Sequence, residues 1–307
     1  MHFVETLHHN LRTVAMPSAM VVGALLCRPV TALEAWSGHM ITPGLIFAML
    51  FVTFCRVSVR DLRLSWLHGW LLLFQFGVST AVYFALRPFD VIVAQGAMIC
   101  TLAPVAMAAV VIAGMLGANV ATVATFSLVC NVATALVAPV ILNFTGSGAC
   151  SFGQIAARIG PLLIGPFIVA QLCRLVVPRL AGWVGQHGQI SFYLWLVSLI
   201  VILGRTTAFI IDLHDVAYSV EAWLAFVALV LCLVQFFIGR CLGRHFGDPP
   251  AGGQSLGQKN TVLAVWMSQS FLNPISSIAP TAYIVWQNFV NSYQLYRKDS
   301  ETAKNQI

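Results

Sequence analysis

Lys259 is the side chain best placed to do chemistry. It lies in Gly252-Gly253-Gln254-Ser255-Leu256-Gly257-Gln258-Lys259-Asn260, a polar run opening an apolar stretch. A lysine at the centre of a bilayer costs roughly 2.5–3.5 kcal/mol on insertion scales, so it is a functional candidate by default. Burial disfavours the charged form of a lysine, which suits a group that takes up and releases a proton. In the competing reading the helix begins later and the ammonium snorkels into water. Further polar side chains interrupt apolar runs: Gln75, then Asn119, Ser127 and Asn131, and later Asn273, Gln287 and Asn288. Hydrogen bonding between helices is the usual employment of such residues. Arg205, near a helix end, could meet an anion or serve as a surface anchor.

All ten carboxylates (Glu5, Glu34, Asp61, Asp90, Asp212, Asp215, Glu221, Asp248, Asp299 and Glu301) fall in tails, loops or helix ends. A carboxylate proton relay or a carboxylate-based sodium site therefore lacks its main ligand, and the interior reads as cationic. There is no HExxH, Walker A loop or GxSxG, and His187 and His245 stand alone in loops, so no enzyme is expected. Eight cysteines without a CxxC read as small buried hydrophobes. Asn143-Phe144-Thr145 fits a glycosylation sequon, a tripeptide common by chance.

The elements that must position Lys259 follow from composition. Of 307 residues, 59% are apolar and 8% charged, against roughly 25% charged in a soluble domain. So few ionic groups cannot cover a water-facing surface, and lipid must cover it. Apolar runs of about 20 residues, the length that crosses a bilayer core, give ten spans: 12–31, 38–56, 65–86, 90–115, 119–142, 154–177, 190–211, 220–243, 254–270 and 274–296. The first is read as a membrane helix, not a cleaved signal peptide. Alternating from a cytoplasmic N-terminus puts eleven cations inside: Arg12, Arg56, Arg60, Arg63, Arg174, Arg179, Arg240, Arg244, Arg297, Lys298 and Lys304. Arg28, Arg87, Arg158 and Arg205 fall outside. This positive-inside bias predicts both termini in the cytoplasm. The net charge of +6 is thereby a matter of topology and implies no nucleic-acid partner.

Ten spans divide into five and five, and an odd number per half inverts the second half. The fourth span is interrupted by Ala103-Pro104 and then Gly114 and Gly117, the ninth by its polar opening, with Asp248 to Gly253 read as loop. Matched interruptions in the two halves point to a transporter's binding site, because irregular backbone at membrane depth survives only where it lines a cavity or is buried in protein. Pro104 as an ordinary kink is the alternative.

These residues resemble the bile acid:sodium symporter (BASS) superfamily. Gly257-Gln258-Lys259-Asn260-Thr261 followed by Leu263-Ala264 is similar to the family's ninth-helix crossover. Pro280-Thr281-Ala282 and Val285-Trp286-Gln287-Asn288 resemble its tenth helix. Ala103-Pro104 resembles its fourth-helix crossover, and Gly117-Ala118-Asn119-Val120-Ala121 the residues after that crossover. The resemblance implies an all-α integral membrane protein with two inverted five-helix repeats, here about 12–142 and 154–296, whose broken fourth and ninth helices cross. Helices 1, 2, 6 and 7 would form a panel, and helices 3–5 and 8–10 a core.

Departures from the family pattern concern sodium. Its sodium-binding serine and asparagine correspond to Ala109 and Val110, its fifth-helix hydroxyls to Val123 and Ser127, and its shared ninth-helix glutamate to Ser255. The second site's glutamine corresponds to Lys259, while the third-helix glutamine is retained as Gln75. The expectation is a carrier of a small organic anion in the cell (inner) membrane, working by alternating access. It would be sodium-independent or proton-coupled, with no cofactor, and with Lys259, Gln75, Asn260, Ser255, Gln258, Ser127, Gln287 and Asn288 forming the coupling and substrate site. The alternatives are a sodium symporter with altered sites and a non-transporting membrane sensor.

Overall fold

The computed structural model describes residues 18–55, 63–106, 108–146, 151–187, 189–212 and 218–304. The start of the first expected span, the loop cations Arg12, Arg56 and Arg60, and Cys150 lie outside them. Among the described residues the chain is helical and has no strand. In order come α1 (Ser18–Leu25), α2 (Cys27–Trp36), α3 (Ile41–Phe54), α4 (Trp66–Leu86), α5 (Val91–Leu102), α6 (Ala108–Met115) and α7 (Val120–Thr145). Then follow α8 (Phe152–Val176), α9 (Pro178–Gln186), α10 (Gln189–Asp212), α11 (Tyr218–His245), α12 (Pro249–Gly257), α13 (Thr261–Phe271), a 3₁₀ turn (Pro274–Ser277) and α14 (Ile278–Lys304). Four of these helices are long and apolar enough to cross a membrane, five if the bent pair α1–α2 is one span.

Three boundaries differ from expectation. The first span is not straight: α1 and α2 meet at 75°. Pro29 accounts for this, since its ring clashes with the carbonyl four residues back and supplies no N–H to it. Residues 249–253 are helix, not loop. The Asp248 carboxylate accepts from the Ala251 amide at 3.0 Å and proline occupies the first helical position, a capped start that favours helix. Asn143 and Thr145 belong to the last turn of α7, where the Thr145 hydroxyl donates to the Ile141 carbonyl at 2.8 Å.

The chain forms two compact units, residues 1–56 with 165–216 and residues 57–164 with 217–307. In the first, α10 packs on α2 and α3. Its backbone approaches α1 closely: a Cβ on Gly23 would lie 2.7 Å from the Ile200 carbonyl oxygen. The carboxylate of Glu34, 1% exposed, accepts from the Arg205 guanidinium at 3.1 Å and from the Thr42 amide and hydroxyl. Arg205 is therefore an ion-pair partner and not a snorkelling anchor. At the surface, Arg28 forks onto both oxygens of Asp212 at 2.7 and 2.9 Å.

The second unit holds Lys259. Here α11 packs on α12 and α14, and α4 on α5. The α11–α12 contact is a backbone crossing. A Cβ on Gly239 or Gly252 would run into the other's carbonyl oxygen, and one on Gly243 into the Asp248 carbonyl. Gly239-x-x-x-Gly243 puts both glycines on one face, the small-residue spacing that lets membrane helices touch. Glycine at 252 is thus dictated by space. We predict that Gly252→Ala lowers stability in detergent by about 1–3 kcal/mol, the cost of overpacking. Gly77→Ala, where a Cβ meets nothing within 4 Å, should hold or raise the thermal midpoint. Equal midpoints for the two variants would refute the close crossing.

Candidate functional site

Two helix breaks meet in the second unit. α5 stops at Leu102 because Pro104 can neither donate to the Cys100 carbonyl nor tolerate a helical residue before it; Ala103 accordingly has ψ 138°. α12 stops at Gly257 and the chain passes through Gln258–Asn260 into α13. The two interruptions run antiparallel. The Ala106 amide donates to the Gln258 carbonyl and the Asn260 amide to the Pro104 carbonyl, each at 2.8 Å, with Val105 opposite Lys259.

A helix that ends leaves its last four carbonyls without intrahelical partners, and side chains supply donors to those of α5. Gln75 Nε2, from α4, donates to the Leu102 and Ala103 carbonyls at 3.1 and 3.2 Å. Lys259 Nζ donates to the Thr101 carbonyl at 3.0 Å. Gln235 Nε2, from α11, donates to the Cys100 carbonyl at 3.4 Å. At the end of α12 the Tyr283 hydroxyl donates to the Gly257 carbonyl at 2.9 Å and accepts from Gln235 at 3.1 Å. Lys259 is 1% exposed. Its ammonium meets the negative end of the α5 dipole, a favourable contact for a cation that has left water. The snorkelling alternative is thereby excluded.

Around Lys259 lie further amides. Gln287 Oε1 accepts from the Lys259 amide at 3.0 Å. Gln258 Oε1 accepts from Asn291 at 2.6 Å, Asn291 Oδ1 from Gln254 at 3.0 Å, and Gln294 Oε1 from Gln254 at 3.4 Å and Arg240 at 3.3 Å. These bonds form a polar ladder along α14. Asn260 caps α13 by accepting from the Leu263 amide at 3.2 Å. Gln75 is held in turn by the Cys130 thiol, which donates to its Oε1 at 3.4 Å.

The structure thus gathers Lys259, Gln75, Gln258, Asn260 and Gln287. Ser255 Oγ is buried in α12 with no hydrogen-bond partner among the described residues. Ser127 is buried on α7, its carbonyl accepting from Asn131 at 2.7 Å. Asn288 is not brought to the crossing, since its amide donates to Ile284 within its own helix. Asn119 and Asn273 are helix caps. Sequence reasoning missed Gln235, Tyr283 and Asn291. A signal existed only for the last: Gln287, Asn291 and Gln294 recur at helical spacing on one face of α14.

Chemically, the site offers a buried cation beside carbonyls and amides. Among the described residues no three His, Cys, Asp or Glu side chains gather as metal ligands. No protein-family profile matches the chain, and no curated protein matches it in sequence. We predict that Gln75→Leu, which strips donors from two buried carbonyls, costs about 1–3 kcal/mol, read as a lower thermal midpoint. Asn288→Leu should lie within about 0.5 kcal/mol of the parent. Indistinguishable midpoints would deny Gln75 its capping role.

Proposed function

We propose that the protein is a secondary carrier of a small organic anion. Lys259 sits in the coupling site, either as a fixed cation or as the group that takes and releases a proton. One observation carries the reading: a buried ammonium 3.0 Å from the Thr101 carbonyl, where two interrupted helices meet. Relatives implied by the resemblance bind sodium near such a crossing. In this chain the positions matched to sodium ligands include Ala109 and Val123, both apolar and fully buried, and Ser255. A tethered charge in place of a bound ion removes the need for sodium.

The ten spans of this reading are α1–α2, α3, α4, α5–α6, α7, α8, α10, α11, α12–α13 and α14, with both termini cytoplasmic. Inversion of the two halves is supported by matching starts, since Asp90 caps α5 and Asp248 caps α12. The unit built from residues 1–56 and 165–216 has nearly the make-up of a panel, and the other unit that of a core. Alternating access would open an anion site in the cationic interior to each side of the membrane in turn. The resemblance and the cationic interior support an anion as the substrate.

Purified protein in liposomes tests this with a panel of labelled organic acids. Saturable uptake and counterflow are expected in choline buffer without sodium. Lys259→Ala should fold, elute as the parent does, and lose at least tenfold in uptake. A strict sodium requirement, or full activity in Lys259→Ala, would remove the lysine from coupling. Saturable binding without counterflow would make the protein a sensor.

A further inference from the structure

A crevice of about 1110 Å³ opens in the second unit, between α11 and α14. α11 contributes Leu229, Leu233, Arg240 and Arg244, spaced by four, seven and four residues, which is one helix face. α14 contributes Trp286, Phe289, Tyr293, Arg297 and Lys298 on a similar stripe. Both stripes pass from apolar to basic towards the helix C-terminus, so hydrocarbon walls lie at one end and four cations at the other. On α11 the stripe runs from Leu229 to Arg244, fifteen steps or about 22 Å at 1.5 Å per residue.

We propose that this crevice binds an anionic phospholipid, phosphate at the four cations and acyl chains along the apolar walls. Such binding is independent of the transport reading. A small soluble anion needs only the basic end, whereas the length and apolarity of the remainder suit a chain. Leu233, Phe289 and Tyr293 are exposed there, on helices whose outer surface lipid must cover. Among the described residues the lining includes no carboxylate. Asp248, two residues before the lining residue Pro250, directs its oxygens to the Asn119 and Ala251 amides at 2.8 and 3.0 Å. Two cations are oriented by neutral acceptors, Arg240 by Gln294 Oε1 at 3.3 Å and Lys298 by the Met115 carbonyl at 2.7 Å. Guanidinium forks suit phosphate oxygens, and basic pockets between membrane helices hold anionic headgroups.

Native mass spectrometry and thermal melts of the purified full chain decide the matter. The probes are phosphatidylglycerol, phosphatidylcholine with the same chains, and glycerol 3-phosphate. Phosphatidylglycerol should bind at least tenfold more tightly than phosphatidylcholine, and glycerol 3-phosphate should neither bind nor stabilise. The combined variant Arg240→Gln, Arg244→Gln, Arg297→Gln, Lys298→Gln should lose that preference, while Arg174→Gln with Arg179→Gln should keep it. Should the fourfold variant not fold, Leu229→Trp fills the apolar end with the cations intact and should reduce phosphatidylglycerol binding by a similar factor. Equal retention of the two lipids by the parent, an unchanged preference in the fourfold variant, or unchanged phosphatidylglycerol binding by Leu229→Trp overturns the proposal. Stabilisation by glycerol 3-phosphate equal to that by the lipid also overturns it, in favour of a soluble-phosphate site.

Discussion

A carbonyl at the end of an interrupted helix cannot turn to water when it is buried at membrane depth. The arrangement of the second unit follows from that constraint. α5 ends with Cys100, Thr101, Leu102 and Ala103 exposed by the break, and three different elements send a donor to them: Gln235 from α11, Lys259 from the α12–α13 interruption, and Gln75 from α4. Take these donors away and the break would have to heal into a continuous helix, which Pro104 forbids. The polar side chains in the apolar interior are therefore a set, each defined by the backbone group it meets. Lys259 differs from the others in bringing charge as well as a donor, so the geometry that satisfies the backbone also holds a buried cation.

The interruptions are legible in the sequence because each has a local cause. Pro104 cannot sit inside a helix without breaking it, and Gly257-Gln258-Lys259-Asn260 is too polar for continuous burial without partners. The burial of Lys259 follows from the apolar stretch beside it. Features that escape a sequence reading depend on neighbours distant along the chain. Gln235 and Tyr283 look like ordinary members of apolar helices until α5 and α12 end beside them. Glu34 and Arg205 are 171 residues apart, and nothing local in either marks the other. Residues 249–253 mislead in another way. Two prolines and two glycines suggest a loop, although Asp248-Pro249 is a capped helix start, and glycine there answers to the backbone of α11 passing at contact distance.

That glycine seam and the amide ladder on α14 divide the work of holding α12. The seam brings the α11 and α12 backbones together where side chains would keep them apart, which sets the depth at which Gly257 ends the helix. The ladder Gln258–Asn291–Gln254–Gln294 sets its rotation, because an amide one residue out of register would face apolar side chains. Position and rotation together aim the following residue, Lys259, at α5. The aim of the ammonium is thus an outcome of packing on α12's far side as much as of its own surroundings.

The bond from Lys259 to Thr101 spans 158 residues, and this has a bearing on how the protein is made. At about 5–20 residues per second of synthesis, the first broken helix waits roughly 10–30 s for the lysine that completes it. During that interval Gln75 is the one member of the donor set already available to the carbonyls of α5, since Gln235 also lies in the later half. The nascent first half must therefore carry an open polar gap through insertion, sheltered by lipid headgroups, water or the insertion machinery until its counterpart emerges.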